Sequence, residues 1–306
     1  KGWELAIDYR HTFKNGLHFG VTASVADDKT EVTKWTYNTK IPSYGATGWW
    51  DKSAYKEGMV LGDIWGLQFD RFLTEDDFNA DGSLKAGLPD QTKVFPAGYQ
   101  FAPGDVLYKD LDNNGEIVKQ TNTNDKGDLS VIGNALPRLQ FGLNLDAAWK
   151  GFDISMFFQG VAKRKLWAAG NQVLPGFTTG EPFYKGAEDY WTPENTDAFY
   201  PRPMDYKQSA SGNYSVNDRY LLNMAYLRLK TFTVGYSLPK VWLSKFKVQG
   251  LRVYFTGENL FTIDGVKPAI DPEIGIRTAS GKSDQRNFGR SYPYQKTVSF
   301  GIQLSL

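Results

Sequence analysis

Cysteine is absent from the 306 residues, so neither disulfides nor thiolate metal sites can support the fold. Long apolar runs are also missing, and no segment approaches the roughly 20 residues that a membrane-spanning helix needs. We therefore do not expect a helical membrane protein. A membrane-spanning β-barrel stays open, because each of its strands presents only alternate side chains to lipid.

The sequence also has no excess of acidic or basic residues. The sequence has 35 Lys and Arg and 34 Asp and Glu, for a net charge of +1, which gives no electrostatic basis for binding nucleic acid. It has no G-x-S-x-G, H-E-x-x-H, P-loop or dinucleotide motif that would place a nucleophile, a metal or a phosphate. The acidic pairs in the loops have no spacing that singles out a glycosidase. We expect neither an enzyme nor a nucleic-acid-binding protein.

Aromatic residues are abundant, with 9 Trp, 17 Tyr and 20 Phe. Apolar and polar residues alternate along five segments with the period of two that is typical of a half-buried strand. These segments are 3–10, 17–26, 139–149, 152–159 and 297–306. Segments 225–237 and 251–260 alternate less regularly. In 225–237, Arg228 and Lys230 share a face with Phe232, so either a bulge shifts the register or the apolar band changes along the strand. The pattern predicts seven strands.

Three features favour a transmembrane antiparallel β-barrel over a soluble β-sandwich or soluble barrel, which would alternate in the same way. The non-apolar face is small and polar, as in a wet lumen. Aromatic residues gather near the short turns, as at a membrane–water interface. The connections alternate in length, as in outer-membrane barrels: short at 10–16, 150–151 and 238–250, and long at 27–137, 162–223 and 261–293. Because seven strands do not close such a barrel, we expect the chain, which starts at Lys1 without a signal peptide, to be a piece of a longer protein.

Six segments, in this order along the chain, resemble the SusC/RagA family of TonB-dependent outer-membrane transporters. They are KGWELAIDYR (1–10), PGDVLYKDLDNNGEI (103–117), VIGNALPRLQFGLNLDAAWKGFDISMFFQG (131–160), YLRLKTFTVGYSLP (226–239), LRVYFTGENLFT (251–262) and YPYQKTVSFGIQLSL (292–306). The resemblance extends over essentially the whole chain.

This resemblance implies an all-β fold in which residues 1–306 form the C-terminal portion of one transmembrane antiparallel β-barrel domain of the 22-stranded kind. The portion would hold about seven membrane strands and long extracellular loops, and it would lie in the bacterial outer membrane, in contact with its lipid. An N-terminal plug, the remaining strands and a TonB-contacting segment would precede it. A SusD-like surface lipoprotein would cover the barrel as a lid.

The expected function is TonB-dependent import of oligomeric nutrients, either glycan or peptide, together with that lid lipoprotein. One alternative is a passive porin-like or autotransporter barrel. The other is a soluble carbohydrate-binding or hydrolytic β-protein.

The acidic stretch from Asp110 to Glu116 matches the first half of a calcium-binding loop, because carboxylates and an amide alternate before and after a glycine. The expected metal ligands are the side chains of Asp110, Asp112 and Asn114 and the carbonyl of Glu116, and the ion would be a structural Ca²⁺. The twelfth position is Thr121 instead of the usual bidentate Glu, and Asp105, Asp125 or Asp128 could replace it. The alternative is a solvent-exposed turn held by its own Asp and Asn side chains.

Aromatic side chains in the long connections could stack on sugars or pack against peptides. They could equally hold the loops to one another or to the lid protein, since interfaces favour Tyr and Trp. Trp49 and Trp50 are the best candidates for contact with ligand or lid.

Overall fold

The structure, a computed structural model, describes residues 1–35, 57–119, 126–168, 170–177, 183–204, 212–246, 248–267, 270–273, 278–279, 282–283, 292 and 294–306. Within these residues, none of the helices is both long and apolar enough to cross a membrane. The helical segments are a 3₁₀ turn at Glu75–Asp77, the helix α1 at Lys240–Leu243 and a 3₁₀ turn at Ser244–Phe246.

Strands dominate the described part of the chain. In chain order they are β1 (Gly2–Thr12), β2 (His18–Asp28), β3 (Asp63–Gly66), β4 (Phe69–Phe72), β5 (Val106–Tyr108), β6 (Ser130–Asn134), β7 (Arg138–Trp149), β8 (Phe152–Lys163), β9 (Lys165–Leu166), β10 (Leu222–Asn223), β11 (Tyr226–Ser237), β12 (Gly250–Glu258), β13 (Thr262–Asp264), β14 (Thr278–Ala279), β15 (Lys282–Ser283) and β16 (Thr297–Ser305). The expectation of an all-β fold is confirmed.

Seven long strands follow one another in an antiparallel sheet in the order β1-β2-β7-β8-β11-β12-β16, so each pairs with the next long strand along the chain, and the short strand β13 joins this sheet as an eighth strand beside β11. They are the seven strands that alternation predicts. The irregular one, β11, contains a register shift between Leu229 and Thr231 in its pairing with β8. The bulge at Lys230 is therefore the correct one of the two explanations for the mixed pattern in this strand.

The register aligns apolar residues into rows that cross the sheet. Ile7 pairs with Ala23, Ala23 with Leu143, and Leu143 with Phe158. The next residue on each strand belongs to the other face, where Asp8 pairs with Thr22 and Thr22 with Asn144. Since a strand alternates its side chains strictly, one face of the sheet is apolar and the opposite face is mostly polar.

Short hairpin turns join the strands at one end of the sheet. Lys150 and Gly151 both have positive φ, at 48° and 86°, which is the conformation of a two-residue turn that matches the twist of its strands. At the turn between β1 and β2, the amide of Gly16 donates to the carbonyl of Phe13 at 2.9 Å. The third connection at this end contains α1.

The long connections at the other end are folded, with two hydrophobic cores of their own. One core gathers Ile64, Ala135, Leu166, Trp167, Ala168, Val173, Leu174, Tyr200, Tyr214, Tyr220, Leu222, Met224 and Val266. The second gathers Leu67, Phe72, Val94, Phe95, Val106, Tyr108, Ile117, Leu129, Trp191 and Ala198. Each core draws on residues between β2 and β7 and on residues between β8 and β11, so these two connections pack as one layer.

Strands β1 and β16 form the two edges of the sheet in the part of the chain that the structure describes. Both present large apolar side chains, with Leu5 51% exposed and Phe300 81% exposed. A strand edge with unpaired backbone groups is a ready site for pairing with another strand.

The close contact between β7, β8 and β11 at Gly160 provides a test of this register. A Cβ on Gly160 would overlap both the ring of Phe141 and the backbone carbonyl of Tyr226, which cannot move aside without disturbing the sheet. We expect Gly160→Ala to reduce the free energy of unfolding by about 1–3 kcal/mol in chemical denaturation.

Gly142→Ala is the matched control for this substitution. The nearest atom to its Cβ would be Ser24 Oγ at 3.3 Å, followed by the Phe157 ring at 3.6 Å. We expect it to change stability by less than about 1 kcal/mol. Equal effects of the two substitutions would contradict the register.

Candidate functional site

The polar face of the sheet carries paired charges and hydroxyls. Thr22 Oγ1 donates a hydrogen bond of 2.6 Å to Asp8 Oδ2. Arg252 forms a bidentate ion pair with Asp153, with 3.0 Å between Nε and Oδ1 and 2.5 Å between Nη2 and Oδ2. A sheet face with satisfied polar groups can border water, whereas an apolar face cannot do so without cost.

A buried ion network lies where β11 meets the connection after β12. Arg228 is 3% exposed, and its Nη2 donates to Asp271 Oδ1 at 2.8 Å. Lys230 Nζ reaches both carboxylate oxygens of Glu273, at 2.9 and 3.0 Å. Burial raises the pKa of Asp271, but the Arg228 hydrogen bond and the Glu273 backbone amide more than offset this, so its pKa lies below the ordinary value. The network fixes residues 271–273 against β11.

A second buried carboxylate, Asp105, joins the two longest connections. It is fully buried and accepts hydrogen bonds from Arg202 Nε at 2.8 Å, Asn213 Nδ2 at 3.0 Å and the Ala102 amide at 2.9 Å. Among the described residues, Asp105 is not part of the carboxylate cluster of the acidic loop, which consists of Asp110, Asp112 and Asp128.

The acidic loop brings three carboxylates together. One oxygen each from Asp110, Asp112 and Asp128 lies within 4.8 Å of the others. Asp128 is fully buried, and its two oxygens accept hydrogen bonds of 2.8 Å from the amides of Leu111 and Val118. Asp110 Oδ1 is buried without a hydrogen-bond partner. Desolvation raises the pKa of Asp112, and the neighbouring carboxylates of Asp128 and Asp110 raise it further. The hydrogen bond from the Asn114 amide lowers it, but the net shift is upward.

The other two residues of the predicted ligand set have local partners. Asn114 Oδ1 accepts a hydrogen bond of 2.7 Å from the amide of Glu116, and Asn114 Nδ2 donates to Asp112 Oδ2 at 3.0 Å. The Glu116 carboxylate forms an ion pair with Lys93. The turn is thus held by its own side chains, as the alternative to a metal site expects, while Asp128 joins Asp110 and Asp112. Asp125 and Thr121 lie outside the described residues.

An aromatic cavity of about 490 Å³ opens within the long connection between β8 and β11. It is lined by Pro175, Phe183, Tyr184, Lys185, Ala187, Glu188, Tyr190, Tyr200, Pro201, Pro203 and Tyr214. Phe183 is 60% exposed and Tyr190 is 40% exposed, so their rings are accessible from outside. Its volume falls in the range of small-molecule sites.

Among the described residues, aromatic side chains of the long connections have two kinds of surroundings. Trp167, Trp191 and Tyr200 are buried in the two cores, so they hold the connections together. Phe183, Tyr184 and Tyr190 line the cavity and are open to contact. Trp49 and Trp50, the predicted contact residues, lie outside the described residues. Sequence patterns did not single out the cavity, because its lining comes from separate segments that only the folded cores bring together.

Searches against known proteins found relatives among receptors and transporters. The TonB-dependent receptor P3 of Formosa agariphila is 26% identical over 99% of this chain, and the TonB-dependent receptor P26 of the same organism is 32% identical over 63%. The TonB-dependent receptor SusC of Bacteroides thetaiotaomicron is 25% identical over 76%. The chain spans 28%, 19% and 22% of the lengths of these three relatives. No family model matches the chain.

Solved structures with the same fold include the RagAB peptide transporter, with a TM-score of 0.64 and 19% identity over 99% of this chain and 29% of that chain. The RagAB peptide importer in its open-open state gives a TM-score of 0.61 and 18% identity over 100% of this chain and 28% of that chain. The matched proteins are receptors and transporters, in agreement with the expectation that this chain is not an enzyme. In sequence and in fold, the chain is SusC/RagA-like and is similar to part of a TonB-dependent receptor, which confirms the resemblance seen in its strand and loop segments.

Proposed function

We propose that this chain forms part of the wall and the outer loops of an outer-membrane, TonB-dependent importer of oligomeric nutrients. The observation that carries the proposal is the two-faced sheet, because an apolar face suits lipid and a polar face suits a water-filled lumen. Residues 1–306 would be the C-terminal portion of one barrel domain. The plug and the remaining strands would come from other parts of a longer protein.

The orientation follows from the lengths of the connections. In outer-membrane barrels the short turns face the periplasm and the long loops face outside, so the two loop cores and the aromatic cavity would lie at the cell surface. A SusD-like lipoprotein would cover this surface as a lid, and TonB would act through an N-terminal region. The substrate class is glycan or peptide, and Trp49 and Trp50 remain candidates for contact with substrate or lid.

We favour energised import over a passive pore because the relatives are named TonB-dependent receptors. One of these relatives aligns with 99% of this chain. Uptake of a labelled oligomer by cells that carry the full-length gene tests this choice. We expect a protonophore or the loss of TonB to abolish uptake, because the plug needs energy to move. Uptake that continues under both conditions would establish a passive pore instead.

The apolar face can be tested in lipid with the full-length protein. Leu143 lies on the apolar face near the middle of β7, between Ala23 and Phe158. If this face contacts acyl chains, Leu143→Arg should cost about 2–4 kcal/mol of stability, measured by urea unfolding in lipid vesicles.

Asn144→Arg is the matched control, because Asn144 is the next residue and faces the polar side beside Thr22. We expect it to cost less than about 1 kcal/mol. A larger cost for Asn144→Arg than for Leu143→Arg would reverse the assignment of the two faces.

The aromatic cavity is the proposed place where the outer loops contact substrate. Replacing Phe183 and Tyr190 together with Ala removes two accessible rings from its lining. Each lost stacking or packing contact is worth about 0.5–1.5 kcal/mol, so we expect oligomer uptake at low concentration to fall by roughly tenfold. Saturation kinetics should show a raised half-saturation concentration and an unchanged maximal rate.

Tyr292→Ala serves as the control for the cavity. Tyr292 is 99% exposed and does not line the cavity. Equal losses in this variant and in the double variant would show that the cavity has no special part in uptake.

We also propose that the acidic loop binds Ca²⁺ through Asp110, Asp112 and Asp128 as a structural ion. The support is the convergence of the three carboxylates and the buried, unpartnered Oδ1 of Asp110. Oxygen ligands of this kind suit a hard cation. Asn114 would contribute Oδ1 after releasing the hydrogen bond from the Glu116 amide, and Glu116 would contribute its backbone carbonyl.

Calcium binding predicts a change in thermal stability. A cation that binds only the folded loop stabilises it by about 2.7 kcal/mol at a hundred times its dissociation constant. We expect the melting temperature of the full-length protein to drop on chelation, and Asp112→Ala to remove this response. The control is Asp81→Ala, which alters an exposed carboxylate bound to Ser83 and should leave the response intact. A parent protein that is indifferent to chelator would exclude the ion.

A further inference from the structure

The short-turn end of the sheet differs from the rest of the molecule in its charge. Its three connections, 13–17, 150–151 and 238–249, contain lysines and no aspartate or glutamate. Lys14, Lys150, Lys240 and Lys245 are all exposed. The whole chain has nearly equal numbers of acidic and basic residues, so this end carries a local positive charge that the neighbouring turns do not neutralise.

Exposed aromatic side chains accompany these lysines. Trp149 is 43% exposed, Phe152 is 58% exposed and Phe13 is 44% exposed. Trp149 pairs with Phe152 across β7 and β8, and Phe152 pairs with Tyr236 on β11. Lys150 Nζ lies 4.4 Å from the centre of the Trp149 ring. The rings therefore continue the apolar face of the sheet up to the turns.

The helix α1 adds to the same surface. Leu243 is buried, with 6% exposure, whereas Val241 and Trp242 are 76% and 59% exposed. Leu243 thus anchors the helix, which packs beside β12, while its other apolar side chains point away from the described residues. Lys240 and Lys245 stand on either side of these two exposed apolar residues.

We propose that Lys14, Lys150, Lys240 and Lys245, here called the basic rim, bind the phosphate groups of anionic phospholipids in the leaflet that meets the short turns. The inference rests on the proposed function, since it needs the apolar face of the sheet to lie in a bilayer. Trp149 and Trp242 would then sit at the depth of the headgroups, where rings with a polar edge are favoured. The lysine ammonium groups would extend toward the phosphates.

Lipid is the partner that fits both halves of this surface. The exposed apolar residues are continuous with the face assigned to acyl chains, and the lysines lie just beyond it, in the order that a bilayer presents from its core to its headgroups. An acidic protein could neutralise the lysines but would not explain that continuity. A Lys near an anionic membrane surface gains attraction that salt weakens within a Debye length.

The test uses the full-length protein in bilayers of phosphatidylcholine that contain spin-labelled phosphatidylglycerol or spin-labelled phosphatidylcholine. Electron spin resonance measures how strongly each label associates with the protein. We expect a several-fold preference for phosphatidylglycerol that declines at high salt. The combined variant Lys14→Gln, Lys150→Gln, Lys240→Gln and Lys245→Gln should lose this preference, so that the two labels associate equally.

The matched control replaces Lys34, Lys85, Lys109 and Lys126 with Gln. These lysines are also exposed but lie in the long connections. This variant has the same change in net charge and should keep the preference for phosphatidylglycerol. A preference that survives in the rim variant, or that is absent from the parent protein, would overturn the inference.

Insertion into the bilayer separates the two hypotheses. If the parent protein inserts and folds but shows no lipid preference, the basic rim is refuted while the proposed membrane location stands. If the protein does not insert at all, the proposed function itself has failed. Quenching by lipids brominated near the headgroup, compared between the parent and Trp242→Phe, isolates Trp242 from the other tryptophans of the chain. Equal quenching of the two proteins after insertion would also overturn the inference.

Discussion

The backbone pairing between seven consecutive long strands is the constraint on which the rest of the structure depends. Because side chains alternate strictly along a strand, one register decides at once which residues face each side of the sheet. A shift of one residue would move Leu143 to the polar side and Asn144 to the apolar side. The close approach at Gly160 and the bulge at Lys230 both fix this register, one by leaving no room for a Cβ and the other by absorbing an extra residue.

The long connections depend on the sheet but are stabilised in a different way. They bury two cores and tie them to the sheet through ion pairs such as those of Arg228 and Lys230. Buried charges of this kind are costly unless every partner is in place, so they favour one arrangement of the loops over others. A defined loop surface is what an outer cavity or a lid protein would need in order to bind specifically.

The sequence predicts the sheet well because alternation is a local signal, readable in windows such as 139–149. The sequence does not predict the loop cores, because residues such as Trp191 and Leu67 belong to one core but come from distant segments. Their positions follow no periodic pattern in the sequence. The acidic loop lies between these cases. Asp110 and Asp112 are close in sequence and stay together, whereas Asp128 reaches them through hydrogen bonds with Leu111 and Val118 that spacing alone does not reveal. The aromatic residues of the cavity, such as Phe183 and Tyr190, belong to the loop aromatics that the sequence marks as possible contacts, but their assembly around one cavity depends on folding of the connection between β8 and β11.

The buried carboxylate of Asp105 has a consequence for how the outer layer opens. It belongs to the connection before β7, yet two of its hydrogen-bond donors, Arg202 and Asn213, belong to the connection before β11. If either connection unfolded alone, a charged side chain of the other would lose its partner in an apolar interior. Local opening should therefore involve both connections as one cooperative unit, and their amide protons should report a common free energy of opening in hydrogen exchange.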